Sequence, residues 1–188
     1  MLVVPTATGS IMYYLTGEER SRAKRVGDMR QDFHDERGTP NAYNLPADPY
    51  NDRKINRLGA LAELVVATLL GVEDRWVECT EDYKRLPGDV FPGVQVRSSD
   101  KPYGRLLLHE RDRDDHAFVQ CRHHLEGEKP ISVEVIGWCD GVTGKQETFW
   151  WLGKNGKRPC FRVPDDMLHP GLRGLAQWIS SSPIPFSI

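Results

Sequence analysis

Residues 58–70 read Leu-Gly-Ala-Leu-Ala-Glu-Leu-Val-Val-Ala-Thr-Leu-Leu and are followed at once by Gly71. Traced back to Asp52, the apolar positions Ile55, Leu58, Ala62, Val65, Val66 and Leu69 recur at helical spacing. Leu61 and Leu64 widen that stripe until the second half is apolar almost all round, which predicts a helix over 52–70 buried on more than one side. Gly71 is a natural residue to end it, because glycine takes the left-handed conformation at no steric cost. Glu63 is the lone charge in 58–70. A carboxylate withdrawn from water is costly unless it is paired, protonated or bound to a metal. Glu63 therefore calls for an arginine, for a cation, or for a narrow exposed stripe, and the run itself leaves the three open.

Upstream, 16–32 reads as a charged amphipathic helix with Thr16 as its cap and Glu18 and Glu19 in the first turn. From Glu18 to Arg37 six basic and six acidic residues balance, which usually marks a solvated face. The stretch 38–52 carries Pro40, Pro46 and Pro49 among Asn and Asp and reads as a loop. Downstream of Gly71 the pattern changes to short strands over 76–80, 89–91, 94–98, 105–109, 117–122, 131–138 and 148–152. Turn signals at Pro87-Gly88, Pro92-Gly93, 112–115, Gly127 and Asp140-Gly141 separate them. A short helix is expected over 170–179. A buried helix followed by a run of strands predicts an α/β or α+β fold with a central mixed sheet flanked by helices. The expected organisation is a single domain, with an N-terminal helical arm and linker over 1–52 and an α/β core with a C-terminal extension over 53–188.

Composition narrows the function classes. The chain has 188 residues and a formal net charge of −2, so it is not a polycation that would hold nucleic acid by bulk charge. Hydrophobic residues make up 39% and mean hydropathy is −0.53, with no apolar run near the ~20 residues of a membrane span. No membrane partner is expected, and the first residues lack the basic flank and apolar segment of a secretory signal. Cys79, Cys121, Cys139 and Cys160 are widely spaced, which argues against a zinc ribbon or a disulfide framework and for reduced thiols in a cytoplasm. No HExxH, Gly-x-Ser-x-Gly or phosphate-cradling glycine loop occurs.

A second polar group sits in 88–99, Gly-Asp-Val-Phe-Pro-Gly-Val-Gln-Val-Arg-Ser-Ser. It reads as a hairpin with Asp89 on one strand and Gln95 and Arg97 two apart on one face of the next. A two-residue Pro-Gly loop would set Asp89 opposite Val96 and split the group. A three-residue loop over 91–93 would set Asp89 opposite Gln95 and gather Asp89, Gln95 and Arg97 on one face.

A buried helix with a lone Glu, then an Asp strand, then a strand ending in (D/E)xK, is the pattern of the PD-(D/E)XK nuclease superfamily. The chain resembles it in Leu58-Gly-Ala-Leu-Ala-Glu63, Gly88-Asp89-Val90 and Val94-Gln-Val-Arg-Ser-Ser99. It is similar in particular to small phage-encoded members, through Gly104-Arg-Leu-Leu-Leu108, Asp114-Asp-His-Ala-Phe-Val119 and the segment from Val135 to Trp138. The resemblance runs from about Asn56 to Pro170 by order of elements. It implies a restriction-endonuclease-like core and Mg²⁺- or Mn²⁺-dependent hydrolysis of DNA, in the host cytoplasm if the protein is phage-encoded. Glu63 and Asp89 would then be metal ligands, with the Val96 carbonyl as a further one. Gln95 stands where the family has its second acid and Arg97 where it has Lys. An amide brings no charge to Mg²⁺, and arginine stays protonated, so it can bind phosphate but not act as a base. The variant fits either an active nuclease or a lapsed one that binds DNA or a host protein. Nucleases of this kind often pair, so a homodimer is a further expectation.

Weaker candidates complete the set. His109, followed by Glu110, could approach the cluster as a proton carrier. Lys154, Lys157 and Arg158, near Trp150 and Trp151, are candidate nucleic-acid contacts, as is Arg105, since basic groups meet phosphate and rings stack on bases. Arg111-Asp-Arg-Asp-Asp115 alternates in sign and reads as a solvated turn.

Overall fold

The structure, a computed structural model, describes residues 2–36, 49–76, 88–90, 93–153 and 158–181. It is a mixed α+β architecture. The chain opens with a hairpin, β1 (Leu2–Pro5) and β2 (Ile11–Tyr14), and continues into helices α1 (Gly17–Glu36) and α2 (Pro49–Leu70). Strands β3 (Val94–Ser99), β4 (Leu106–Leu108), β5 (Ala117–Glu126) and β6 (Lys129–Asp140) follow. After a one-turn helix α3 (Gly141–Gly144) come β7 (Trp150–Trp151), β8 (Cys160–Val163), β9 (His169–Pro170) and helix α4 (Leu175–Ser181).

The main sheet runs β1-β2-β6-β5-β3, with β9 also paired to β6; β4-β8-β7 form a second, smaller sheet. The main sheet is mixed, because β3 lies parallel to β5 while β5, β6, β2 and β1 pair antiparallel. Side chains alternate across it. On one face Val94, Val96, Ala117, Val119, Cys121, Val133 and Val135 join the core formed with the helices. On the other, Phe118, Ile136 and Cys139 pack with Leu106, Leu108, Val163 and Leu168 beside the small sheet.

The apolar run behaves as its pattern predicts. Every residue from Ala60 to Ala67 is buried, because α2 is packed between α1 and the main sheet. The helix begins at Pro49 rather than Asp52 and ends in a paired closure: Gly71 at φ +69°, its N–H on the Thr68 carbonyl at 3.1 Å, and the Val72 N–H on the Ala67 carbonyl at 2.9 Å. Helix α1 opens on a reciprocal cap, the Glu19 N–H on Thr16 Oγ1 at 3.2 Å and the Thr16 N–H on Glu19 Oε2 at 2.7 Å. The two helices cross closely at Gly27, where a Cβ would come within 2.5 Å of the Arg57 Cα.

Several expectations shift. Residues 2–36, expected as part of a helical arm, supply strands to the main sheet through β2–β6 pairing and a helix to the core. The β1–β2 hairpin was not expected at all. Residues 148–152 divide into a 3₁₀ turn and β7, and 170–179 into a bridge, a turn and α4. Most of the 76–80 strand, Cys79, Lys154 and Lys157 lie outside the described residues. Cys121, Cys139 and Cys160 are buried free thiols. Among the described residues no helix is long and apolar enough to cross a membrane.

Candidate functional site

Glu63 is 8% exposed and points at a partner the helix itself could not announce. Arg30 of α1 grips it in a fork, Nη1 to Oε1 at 2.8 Å and Nη2 to Oε2 at 2.6 Å. Trp76 Nε1 donates to Oε2 at 3.2 Å. Two parallel charge-assisted bonds of this kind satisfy both carboxylate oxygens in one plane. Of the three solutions open to an acid in an apolar helix, the chain uses an arginine.

Asp89 does not sit on a strand; it lies in a bend over 88–90. Its backbone N–H donates to the Val94 carbonyl at 2.8 Å, and its Oδ2 accepts the Val96 N–H at 2.7 Å. The carboxylate therefore closes part of the free edge of β3, a position where unpaired backbone donors would otherwise face outward. Neither hairpin register applies, yet the juxtaposition sought from the three-residue loop is achieved by the side chain. Arg97 Nη1 lies 3.5 Å from Asp89 Oδ2 and donates to Gln95 Oε1 at 3.2 Å.

Parallel pairing sets Gln95 beside Phe118 and Arg97 beside Gln120. Gln95 and Arg97 thus emerge on the face away from α2, with the Arg97 guanidinium 5.7 Å from the centre of the Phe118 ring. Glu63 and its partners are on the helix face. Asp89, at the edge, experiences both. The order is Arg30, Glu63, Asp89, Arg97: two cations outside two anions, formally neutral as a group. Arg97 Nη2 also approaches Asp112 Oδ1 at 3.7 Å, and the His109 N–H binds Asp112 Oδ2 at 2.9 Å.

The Asp89 side chain is 25% exposed by area. Burial, and then the nearby charge of Glu63, push its carboxyl up to about 6, against the opposing pull of Arg97 and the Val96 N–H. A carboxyl that holds its proton more tightly folded than unfolded favours the fold at low pH and loses that contribution as pH rises toward 6. Asp89→Asn is accordingly expected to be more stable than the parent at pH 7.5, by about 1–2 kcal/mol after discount for partial solvation, with the gap closing below about pH 4. Denaturant melts at the two pH values check this; a variant less stable at pH 7.5 would show Asp89 to be a net stabilising anion.

These side chains also decide how a divalent cation would fare. The donors are hard oxygens of the kind Mg²⁺ takes. Both Glu63 oxygens, however, are held by Arg30, Asp89 Oδ2 is held by the Val96 N–H beside Arg97, and Gln95 Oε1 is taken by Arg97. Among the described residues no three or more His, Cys, Asp or Glu side chains gather at ligating distance. As arranged, the group does not fit Mg²⁺; a cation would have to displace two guanidinium groups.

Arg97 borders a cleft of about 440 Å³ on the same face. Lys101, Arg105 and Arg162 line it with Arg97, as do Tyr103, Trp151 and His109, and among the described residues it has no carboxylate in its lining. Tyr103 is 81% exposed, and the Arg162 guanidinium stacks 4.7 Å from the centre of the Trp151 ring. The sequence pattern marks Arg105, His109 and Trp151 as candidates but not Lys101, Tyr103 and Arg162, which converge only when β4 and β8 pair beside β3. Arg158 does not line this cleft. Of the basic residues of α1, Arg22 pairs with Glu73 at 2.5 Å and Lys24 with Asp28 at 3.1 Å. Arg113 and Asp115 form an exposed local pair at 2.6 Å, as expected of a solvated turn.

Comparison of the chain with protein-family models, with curated proteins and with solved structures gives no match in any of the three.

Proposed function

We propose that this chain is a DNA-binding protein of nuclease-like organisation, which holds the phosphate backbone in the cleft beside Arg97 and whose acid pair is kept neutral by arginines rather than by a metal. The observation that carries the reading is the segregation of charge. In a chain of net charge −2, Lys101, Arg105 and Arg162 join Arg97, itself paired with Asp89, and two aromatic side chains on one concave surface without a lining carboxylate among the described residues. Arginine forks suit phosphate oxygens, and such contacts supply most of the sequence-independent affinity for nucleic acid. The neutral Arg30–Glu63 and Asp89–Arg97 pairs support the non-catalytic form of the resemblance to PD-(D/E)XK proteins.

The test is fluorescence anisotropy of a labelled oligonucleotide across a salt series. Binding is expected to weaken linearly on a log–log scale with added salt. Arg105→Ala and Arg162→Ala should each reduce the slope by about 1 and weaken binding to all sequences alike. Absence of binding at low salt would overturn the reading.

One observation favours Mg²⁺-dependent hydrolysis as a second reading. Burial first, and then the charge of Glu63, raise the proton affinity of Asp89, and carboxylates with a displaced titration are common at functional sites. Melts with and without Mg²⁺ or Mn²⁺, together with a plasmid-nicking assay, separate the two. Metal-dependent nicking lost in Asp89→Ala would establish hydrolysis; unchanged melts and intact plasmid would leave binding alone.

A further inference from the structure

The cleft contains a feature that charge does not explain. Gln120, directly beside Arg97 in the β3–β5 register, is 3% exposed and lines the cleft. Its Nε2 donates to the Gly104 carbonyl at 2.6 Å, which fixes the amide orientation. Its Oε1 then faces no hydrogen-bond donor among the described residues. Buried polar atoms are nearly always satisfied, and an exception in a native fold asks for a reason. A buried acceptor without a donor, on a side chain that lines a cationic cleft with aromatic rings, is suited to a ligand carrying both an anionic group and an N–H.

We infer that the cleft takes an unpaired nucleotide, with its phosphate among Arg97, Arg105 and Arg162, its base against Tyr103 or Trp151, and a base N–H directed to Gln120 Oε1. This rests on the DNA-binding reading and narrows it to single-stranded DNA. Two physical points favour a single strand over a duplex. A ring can stack on a base only where the base has left its own stack, and Tyr103, 81% exposed, offers its ring without rearrangement. Every base also carries an N–H on its Watson–Crick edge, and the pairing hydrogen itself is free only when the base is unpaired. A duplex could use the arginines but not the rings, and only its groove-facing amino groups, absent from T, could reach the amide. The volume of about 440 Å³ falls within the roughly 300–1,000 Å³ range of small-molecule sites and suits one nucleotide rather than a helix.

The experiment compares, by anisotropy at fixed salt, a labelled single strand with a hairpin duplex of the same length and composition. Single-strand binding is expected to be at least tenfold tighter. Tyr103→Ala, at a side chain too exposed to endanger the fold, and Trp151→Phe as a ring-retaining control read the stacking directly. Stacking on an aromatic side chain contributes enough that Tyr103→Ala should cost roughly 5- to 100-fold on the single strand and little on the duplex, while Trp151→Phe costs less. Gln120→Leu should narrow the preference for the single strand without altering the salt slope. Equal affinity for both forms, or a Tyr103→Ala variant that keeps its single-strand affinity, overturns the inference while leaving DNA binding in place. No affinity for either form removes the wider reading as well.

Discussion

Arg30→Ala is expected to lower the unfolding free energy by about 3–5 kcal/mol, the usual cost of leaving one member of a buried ion pair without its partner. The side chains of Arg30 and Glu63 are 8% and 10% exposed, and water cannot replace the lost guanidinium. For a chain of this size each kcal/mol moves the melting temperature by roughly 2–4 °C, so a drop of about 6–20 °C should be seen. The double variant Arg30→Met with Glu63→Leu should recover most of the loss, since apolar side chains of similar volume often replace a buried pair at little cost. The same melts bear on chemistry. A loss under about 1 kcal/mol would mean that Arg30 is not what holds Glu63, and would return that carboxylate to the pool of possible metal ligands.

Acid sensitivity centred on His123 is the second large effect. The ring is 3% exposed on the helix-facing side of β5, and neither nitrogen makes a hydrogen bond among the described residues. The polar groups around it are the Leu58 backbone, Asp100 and His124. Burial pushes its proton affinity down to about 4, outweighing the attraction of Asp100. The unfolded chain then takes up a proton near pH 6.5 while the folded one refuses it until about 4, so stability is lost as pH falls through that interval. At about 1.4 kcal/mol per pH unit the loss approaches roughly 3 kcal/mol. Asp89 acts with the opposite sign over much of the same range. The parent is therefore expected to show a shallow pH dependence between 6 and 4. His123→Leu should grow more stable as pH falls, and Asp89→Asn less stable. A His123→Leu chain with the parent's pH slope would show that the imidazole is not the titrating group.

How far the sequence could be read depended on the range of the interactions involved. Helix α2, its burial on several sides and its end at Gly71 follow from the spacing of Leu, Val and Ala and from the conformational freedom of one glycine. Strands β3, β5 and β6 follow from alternation and from turn residues close by. The β1–β2 hairpin was missed because its strands are four residues each and too short to establish a period, although Gly9, at φ +83°, marks its turn. Gln95 and Arg97 share one face of β3, as their spacing implies, because a pleat puts residues two apart together whatever else the chain does.

Local chemistry was thus written in the sequence: which helix is buried, that Glu63 needs a partner, and that Asp89, Gln95 and Arg97 could meet. The tertiary structure alone decided who the partners are. Arg30 reaches Glu63 across 33 positions, and the β4–β8 pairing brings Arg162 to the cleft beside Arg97 from a distant segment. The reason is that hydrophobic periodicity and backbone preference act over a few residues. Whether a buried carboxylate finds a guanidinium or a metal depends on how whole elements pack, and no short stretch of chain records that.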